Sequence, residues 1–170
     1  MSIPADDLSR KLVVTRRDDA AAEHIGVVGD TYTVLLDGEQ TNGRFCLIDM
    51  HVPPGGGPGP HRHNFEETFL LLDGEVELMF RGETQTAGAG STVHIPANAP
   101  HSFHNASDKP ARLLCICSPA GQEEFFREVG VKVGSSTEAP PKPTPEEQKA
   151  FQEKAARLAP RFQTELLPPD

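Results

Sequence analysis

The amino-acid sequence predicts an all-β fold, a single barrel that is followed by a helical extension near the C-terminus. Through the middle of the chain, short apolar runs recur at intervals of roughly ten residues, separated by glycine, proline and Asp-Gly turns. A chain of 170 residues suits one domain whose core needs no covalent staples. No internal repeat is visible, which favours one barrel over a repeat array.

Each predicted strand is a short apolar or alternating run that ends at a turn. Asp73-Gly74 marks the clearest hairpin, because this dipeptide favours the tight turn between antiparallel strands. The predicted strands cover residues 31–36, 44–52, 67–72, 75–81, 85–86, 92–95, 102–105 and 111–117.

Changes in composition divide the chain into four predicted parts. These are an N-terminal segment at 1–26, the barrel at 27–130, a proline-rich linker at 131–145 and a C-terminal helix with its tail at 146–170. Thr144 to Glu147 form a capping box with Pro145 at the first helical position, and Pro160 ends the predicted helix.

The C-terminal helix carries one narrow apolar stripe, formed by Phe151, Ala155 and Leu158. Such a stripe is typical of a helix that docks on its own barrel or on a partner subunit. The alternative is a lid over a cavity in the barrel.

The charge and composition favour a protein that handles small molecules. A formal net charge of −9 disfavours binding to nucleic acid or to anionic membrane, because the field repels phosphate groups. No apolar run is long enough to span a bilayer, and the first residues lack the pattern of a secretory signal, so we expect a cytoplasmic location. An odd number of cysteines argues against a disulfide framework, and we expect Cys115 and Cys117 to be small buried hydrophobes.

The candidate metal ligands are His61, His63, Glu67 and His101. Two histidines at positions i and i+2 of a strand point to the same side of the sheet, and a carboxylate four residues later keeps that parity. Imidazole nitrogens with one carboxylate suit iron, manganese, nickel, cobalt, copper or zinc rather than calcium or magnesium. We therefore predict one divalent transition metal per chain, with open coordination positions for an oxygen ligand.

Two motifs around these residues resemble those of the cupin superfamily. The matching positions are Gly55, His61, His63, Glu67 and Gly74 in the first motif, and Gly90, Pro96, His101 and Asn105 in the second. The resemblance covers roughly residues 27–130 and implies a double-stranded β-helix, or jelly-roll, barrel. Asn98 replaces the usual glycine of the second motif, a mild departure because asparagine tolerates the positive φ that this turn requires.

Within the superfamily, the chain resembles the small single-domain, quercetin-dioxygenase-like cupins of the cupin-2 type. In flavonol dioxygenases of that group, the glutamate that matches Glu67 acts as a base toward a substrate hydroxyl. Those enzymes commonly place four residues between the second histidine and the glutamate, whereas this chain has three, which weakens the flavonol-specific interpretation. Glu66 has the wrong parity for a ligand and is expected to be exposed or to support the site from outside.

The same alternation predicts which barrel residues face a substrate pocket and which face outward. Leu70 and Leu72 should point outward, and we expect a homodimer through that face, with packing of the N-terminal segment as the alternative. His24, His51, His94 and His104 are expected to lie outside the metal site, and His24, which precedes the predicted strands, is expected on the surface. The predicted pocket residues are Ile48, Met50, Phe69, Leu71, Val76, Leu78, Phe80, Phe103 and Asn105.

Three functions are consistent with this site. The first is a metal-dependent, dioxygenase-like oxidoreductase that acts on a small enolisable or phenolic compound, with Glu67 as the catalytic base. The second is a non-catalytic, metal-dependent module that binds or senses a small molecule. The third is a metal-dependent isomerase or epimerase of hydroxy-carbonyl compounds, which needs no oxygen.

Overall fold

The computed structural model describes residues 2–169, so Met1 and Asp170, the outer ends of the predicted N-terminal segment and C-terminal tail, lie outside the described residues. The strands are β1 (Glu23–Val27), β2 (Asp30–Leu36), β3 (Cys46–Val52), β4 (His61–His63), β5 (Glu66–Asp73), β6 (Glu75–Phe80), β7 (Glu83–Gly88), β8 (Thr92–Ile95), β9 (His101–His104), β10 (Ala111–Ser118), β11 (Val131–Lys132) and β12 (Thr164–Leu166). The helices are α1 (Gly38–Thr41), α2 (Gln122–Val129) and α3 (Pro145–Leu158), and a 3₁₀ turn follows at Ala159–Phe162.

These strands form two antiparallel sheets that face each other as a jelly-roll barrel. The larger sheet has the order β11-β1-β2-β3-β10-β5-β8, and the smaller has the order β12-β4-β9-β6-β7. The all-β barrel with a C-terminal helical extension, predicted from the sequence, is thereby confirmed.

Alternating side chains of the two sheets fill the space between them. Along β5, Phe69 and Leu71 are buried while Leu70 is only partly buried and Leu72 is 44% exposed, as the predicted alternation requires. Cys115 of β10 pairs in register with Phe69 of β5 on one side and with Ile48 of β3 on the other. The homodimer through the face of Leu70 and Leu72 stays a prediction.

The sheets extend beyond the sequence-based barrel range of 27–130 at both ends. β1 begins at Glu23, and β11 pairs with it through Ile25 and Lys132. His24, which was expected on the surface, is instead buried within β1, and its Nδ1 lies 2.8 Å from Thr33 Oγ1. The prediction was wrong because His24 does not precede the strands but belongs to β1, an inner strand of the larger sheet.

The C-terminal segment returns to the barrel. The predicted capping box of α3 is present, since Thr144 Oγ1 accepts from the Glu147 backbone N–H at 3.2 Å and Glu147 Oε2 accepts from the Thr144 N–H at 2.8 Å. After the 3₁₀ turn, β12 pairs with β4 in the smaller sheet, with Thr164 opposite His63 and Leu166 opposite His61. Across residues 2–169, none of the helices combines the length and the apolar character needed to cross a membrane.

Candidate metal centre and adjoining cavity

The two sheets bring the four predicted ligands together. His61 and His63 lie on β4, and His101 begins β9, where it pairs in register with His61. Glu67 comes from β5 of the other sheet. The prediction that Glu67 keeps the parity of His63 along one strand was therefore wrong, because β4 ends at His63 and the chain crosses to the larger sheet before Glu67.

The four side chains are buried and close to one another. Their ligand atoms all lie within 4.8 Å of one another, and no side chain of the four is more than 9% exposed. The Nε2 atoms of His63 and His101 both lie 3.2 Å from Glu67 Oε2. Two ligand atoms that each lie about 2.1 Å from one metal ion are about 3.0 Å from each other in octahedral geometry and about 3.4 Å in tetrahedral geometry. The observed distances of 3.2 Å therefore suit two ligands that share one ion.

Hydrogen bonds to backbone carbonyls fix the tautomer of all three histidines. Because a carbonyl oxygen only accepts, each Nδ1 must carry the proton, and each Nε2 of a neutral ring is left with its lone pair. This is the arrangement that metal-binding histidines use to orient their rings. The three Nδ1 contacts are His61 to Gly59 O at 2.8 Å, His63 to Phe65 O at 3.0 Å and His101 to Ala99 O at 2.8 Å.

The donor set fits a metal ion for a further reason. With both Nδ1 atoms already protonated, the contacts of His63 and His101 with Glu67 Oε2 join a lone pair to a carboxylate oxygen. Two acceptors at this distance repel each other unless a cation or an additional proton lies between them. The cluster can therefore hold one metal ion, whose identity the ligands leave open among the transition metals.

Electrostatics keep the ligands in the protonation states that bind metal. Burial, together with the nearby His101, lowers the pKa of His61 to about 4, so its ring is neutral at pH 7. Burial opposes the ionisation of Glu67, but hydrogen bonds that His101 and His63 donate when their Nε2 atoms carry an additional proton outweigh it and hold its pKa below the usual range. The site thus combines neutral imidazole with an ionised carboxylate.

Thiols support Glu67 from the side away from the histidines. Cys115 Sγ donates to Glu67 Oε1 at 3.2 Å, and Cys117 Sγ lies 3.8 Å from the same oxygen. A hydrogen bond with Cys117 lowers the pKa of Cys115, but burial and the charge of Glu67 outweigh it and raise the pKa to about 12, so the thiol keeps its proton. All three cysteines are free and buried, which confirms the expectation that they form no disulfide.

Turns next to the ligands are held by specific backbone contacts. Asn98 has φ +67°, which confirms the positive φ expected at this position, and its N–H donates to His63 O at 2.7 Å. Asn105 pairs its own N–H with Gly56 O, and its Nδ2 donates to Val52 O and Lys109 O. The predicted pocket residue Asn105 is therefore engaged in holding the glycine-rich loop that leads to His61.

Gly57 of this loop has no room for a side chain. Its φ is +119°, and an added Cβ would overlap the carbonyl oxygen of Phe103. We expect Gly57→Ala to lower the free energy of unfolding by about 3 kcal/mol and to weaken metal binding, since the loop positions His61. Urea unfolding and metal content measure the two effects. Gly59→Ala is the matched control, because no heavy atom lies within 4 Å of its added Cβ, and equal stability of the two variants would contradict this account.

A cavity of about 700 Å³ adjoins the ligands, with His61 and Glu67 in its wall. Of the predicted pocket residues, Met50, Phe69 and Phe103 line it. The others lie elsewhere: Ile48, Leu71, Val76 and Leu78 are buried in the hydrophobic core, Phe80 packs against that core, and Asn105 holds the loop. Parity identified side chains that point inward, but not how far along the barrel axis they lie.

Segments other than the predicted strands complete the cavity wall. α2 contributes Phe125 and Phe126, α3 contributes Phe151 and Ala155, and β12 contributes Leu166. The apolar stripe of α3 thus docks on its own barrel and also covers the cavity beside the ligands. Docking on the barrel and covering the cavity are therefore two consequences of the same position of α3.

The wall also contains polar residues that the sequence reasoning missed, Asp30, Tyr32 and Gln122. Asp30 and Tyr32 share a face of β2. The predicted strand began at residue 31, and a start at Asp30 would have placed both side chains on one face by alternation. The remaining histidines lie outside the cluster, as predicted, and exposed His94 pairs with Glu66 at 3.1 Å.

Comparisons with known proteins agree with this fold and site. Residues 48–117 match the family model described as Cupin domain. Polyketide synthase CurC of Streptomyces cyaneus is 30% identical over 115 residues, which cover 66% of this chain and 70% of that protein. Quercetin 2,3-dioxygenase of Bacillus subtilis is 29% identical over 100 residues, which cover 58% of this chain and only 29% of that protein.

A solved structure extends the likeness beyond the barrel. The polyketide cyclase RemF from Streptomyces resistomycificus superposes with a TM-score of 0.57 at 24% identity, covering 84% of this chain and 94% of that chain. The fold and site define a β-barrel protein with a buried cluster of three histidines and one glutamate. The chain belongs to the cupin family.

Proposed function

We propose that this cupin is a metal-dependent, dioxygenase-like oxidoreductase that acts on a small enolisable or phenolic compound. The observation that carries the proposal is the position of the ligand cluster, since His61 and Glu67 line a largely apolar cavity of about 700 Å³. A cavity of this size accommodates a drug-sized organic molecule. The similarity to quercetin 2,3-dioxygenase supports the reaction class, although this chain spans less than a third of that protein.

The ion would be held by the Nε2 atoms of the three histidines and by Glu67 Oε2. When bound, it supplies a Lewis acid with open positions for an oxygen ligand. The protein orients the ligands and shields the reacting groups. Backbone carbonyls hold the imidazole rings in one tautomer, and the aromatic wall excludes water from the reacting groups.

Glu67 is the carboxylate placed to act as the base in such a reaction. Its lowered pKa keeps the carboxylate ionised, and it reaches the cavity beside His61. The Cys115 thiol occupies Oε1, which leaves Oε2 on the side of the histidines. Glu67 Oε2 would have to leave the ion to accept a proton from an acidic substrate hydroxyl, with the electron pair remaining on the substrate oxygen.

A metal-dependent isomerase or cyclase is the second candidate. The similarity to CurC supports it, because that protein is named as a polyketide synthase, polyketide chains are enolisable, and this chain covers 70% of that protein. Isomerisation and ring closure by proton transfer need the same base and the same cation, but no oxygen. Oxygen dependence therefore separates the two candidates.

The test is a screen of enolisable and phenolic compounds with protein loaded with iron, manganese, nickel, cobalt, copper or zinc. For the oxidoreductase we expect oxygen uptake that matches substrate loss with a redox-active metal. In Glu67→Gln, turnover should fall by about a hundredfold or more. Glu66→Gln is the matched control, because Glu66 is the adjacent, exposed carboxylate.

Each outcome of this screen has a distinct meaning. Undiminished turnover in metal-replete Glu67→Gln rules out Glu67 as the base. Product formation with zinc in the absence of oxygen supports the isomerase or cyclase instead. Tight binding with no product in either condition points to a binding or sensing module.

A further inference from the structure

A group of cysteine thiols lies beside Glu67, on the side away from the histidines. Cys115 and Cys117 have the same parity on β10, and Cys46 of β3 pairs in register with Cys117. All three cysteines are free, and each is 0% exposed. The proposed reaction uses only the hydrogen bond from Cys115 to Glu67, so it does not account for the other two thiols.

Glu67 and two of these thiols form a second cluster of potential ligand atoms. Glu67 Oε1 lies 3.2 Å from Cys115 Sγ and 3.8 Å from Cys117 Sγ, and the two sulfurs lie 3.6 Å apart. All three atoms therefore lie within 4.8 Å of one another, as the ligand atoms of the histidine cluster do. The second cluster uses the carboxylate oxygen that the histidines leave free, because His63 and His101 both contact Oε2.

The spacing of these three atoms matches a tetrahedral ion. Two sulfurs that each lie about 2.3 Å from one tetrahedral ion are about 3.8 Å apart, and a sulfur and a carboxylate oxygen are about 3.6 Å apart. The observed distances of 3.2, 3.6 and 3.8 Å lie close to these values. A linear ion between two thiolates would hold the sulfurs about 4.6 Å apart. The geometry therefore favours a tetrahedral ion such as zinc over an ion that prefers linear coordination.

The charges of the ligands also suit a divalent ion. A thiol that binds a metal ion loses its proton, so each sulfur of the cluster would bring one negative charge. Replacing the two thiol protons by one divalent ion leaves the total charge inside the barrel unchanged. Buried charges need such compensation, and this site provides it from its own ligands.

We propose that Cys115, Cys117 and Glu67 Oε1 form a second metal site, which takes a thiophilic, tetrahedral divalent ion such as zinc. Thiolates select such ions, whereas the histidine cluster also suits iron and manganese. When both sites are filled, Glu67 bridges the two ions through its two carboxylate oxygens. The thiol site offers three ligands instead of four and must release two protons, so it binds more weakly and fills second. This site does not depend on the proposed reaction.

Cobalt(II) is a suitable probe, because it accepts the same ligands as zinc. Bound to thiolate, it gains a charge-transfer absorption band in the near ultraviolet that nitrogen and oxygen ligands do not produce. The protein is titrated with cobalt chloride in the absence of oxygen and in the presence of a phosphine reductant. We expect binding of about two ions per chain, with the band developing during the second equivalent. Excess zinc should remove the band.

Variants separate the two sites. In Cys115→Ala and in Cys117→Ala, the band should fall to about half or less, because one of two thiolates is lost, while the first equivalent of cobalt still binds. In His101→Ala the band should persist, since His101 belongs only to the histidine cluster. A wild-type protein that shows the band but binds no ion at the histidines would contradict the proposed function and leave the thiol site standing.

Cys46→Ala is the matched control. Its thiol is also fully buried and lies on the strand next to Cys117, but it does not belong to the cluster. The band should therefore keep its intensity in this variant.

Three results would overturn the inference. The first is the absence of the band in wild-type protein at a large excess of cobalt, a measurement that decides even if a cysteine variant does not fold. The second is a band that Cys46→Ala removes as completely as Cys117→Ala does. The third is a band that develops together with a fall in the melting temperature, which would show that the ion binds thiols of the unfolded chain.

Discussion

His101→Ala should remove the bound transition metal, lowering the metal content from about one ion per chain to almost none. The substitution deletes the Nε2 atom that lies 3.2 Å from Glu67 Oε2 and leaves two histidines and the carboxylate. An ion that binds only the folded protein stabilises it by about 4 kcal/mol at a concentration of a thousand times its dissociation constant. For a domain of this size, that corresponds to a rise of roughly 10 °C in the melting temperature.

The measurement is therefore the metal-induced rise in melting temperature, together with elemental analysis. His101→Ala also removes buried contacts, so its absolute stability falls for reasons unrelated to the ion, whereas the metal-induced rise isolates the site. His104→Ala is the control, because His104 is exposed on the same strand and lies outside the ligand cluster. A His101→Ala protein that keeps its ion would show that the fourth ligand is assigned incorrectly.

The ligands could be predicted from the sequence because they lie in local motifs. His61 and His63 need only the alternation of one strand, and the spacing of the second motif points to His101. Glu67 lies in the cluster with the three histidines, but parity along one strand does not explain its position, since the chain changes sheets after His63. The motif encodes this crossing, whereas parity along a single strand does not.

The cavity could not be predicted in the same way because distant segments build it. Asp30, Gln122 and Phe151 come from β2, α2 and α3, and no periodicity relates them. The sequence predicted the capping box and the apolar stripe of α3, both of which are local features. The stripe packs against α2, a long-range contact that leaves no local signal in the sequence.

Only some of the residues predicted to face the pocket line the cavity, for a related reason. Ile48 and Met50 have the same parity on β3, yet only Met50 lines the cavity. Alternation distinguishes the inside of a barrel from its outside, but it does not distinguish the packed end from the open end. That distinction needs the tilt and register of all the strands.

The stability of the metal-free protein should depend on pH through Asp30. Its folded-state pKa is about 7, against an ordinary value of 3.8, because burial disfavours the charged form. The folded protein thus binds more protons than the unfolded chain between these values, and stability is lost as pH rises through that range. The loss amounts to about 4 kcal/mol, since each pKa unit corresponds to about 1.4 kcal/mol.

Comparing wild-type protein with Asp30→Asn isolates this effect. Buried His61 has a lowered pKa of about 4 and makes stability rise with pH over much of the same range, but it does so equally in both proteins. We expect the stability of Asp30→Asn relative to wild type to increase by about 4 kcal/mol between pH 4 and pH 8, as measured by urea unfolding with a chelator present. A difference that does not change with pH would contradict the assignment of a raised pKa to Asp30.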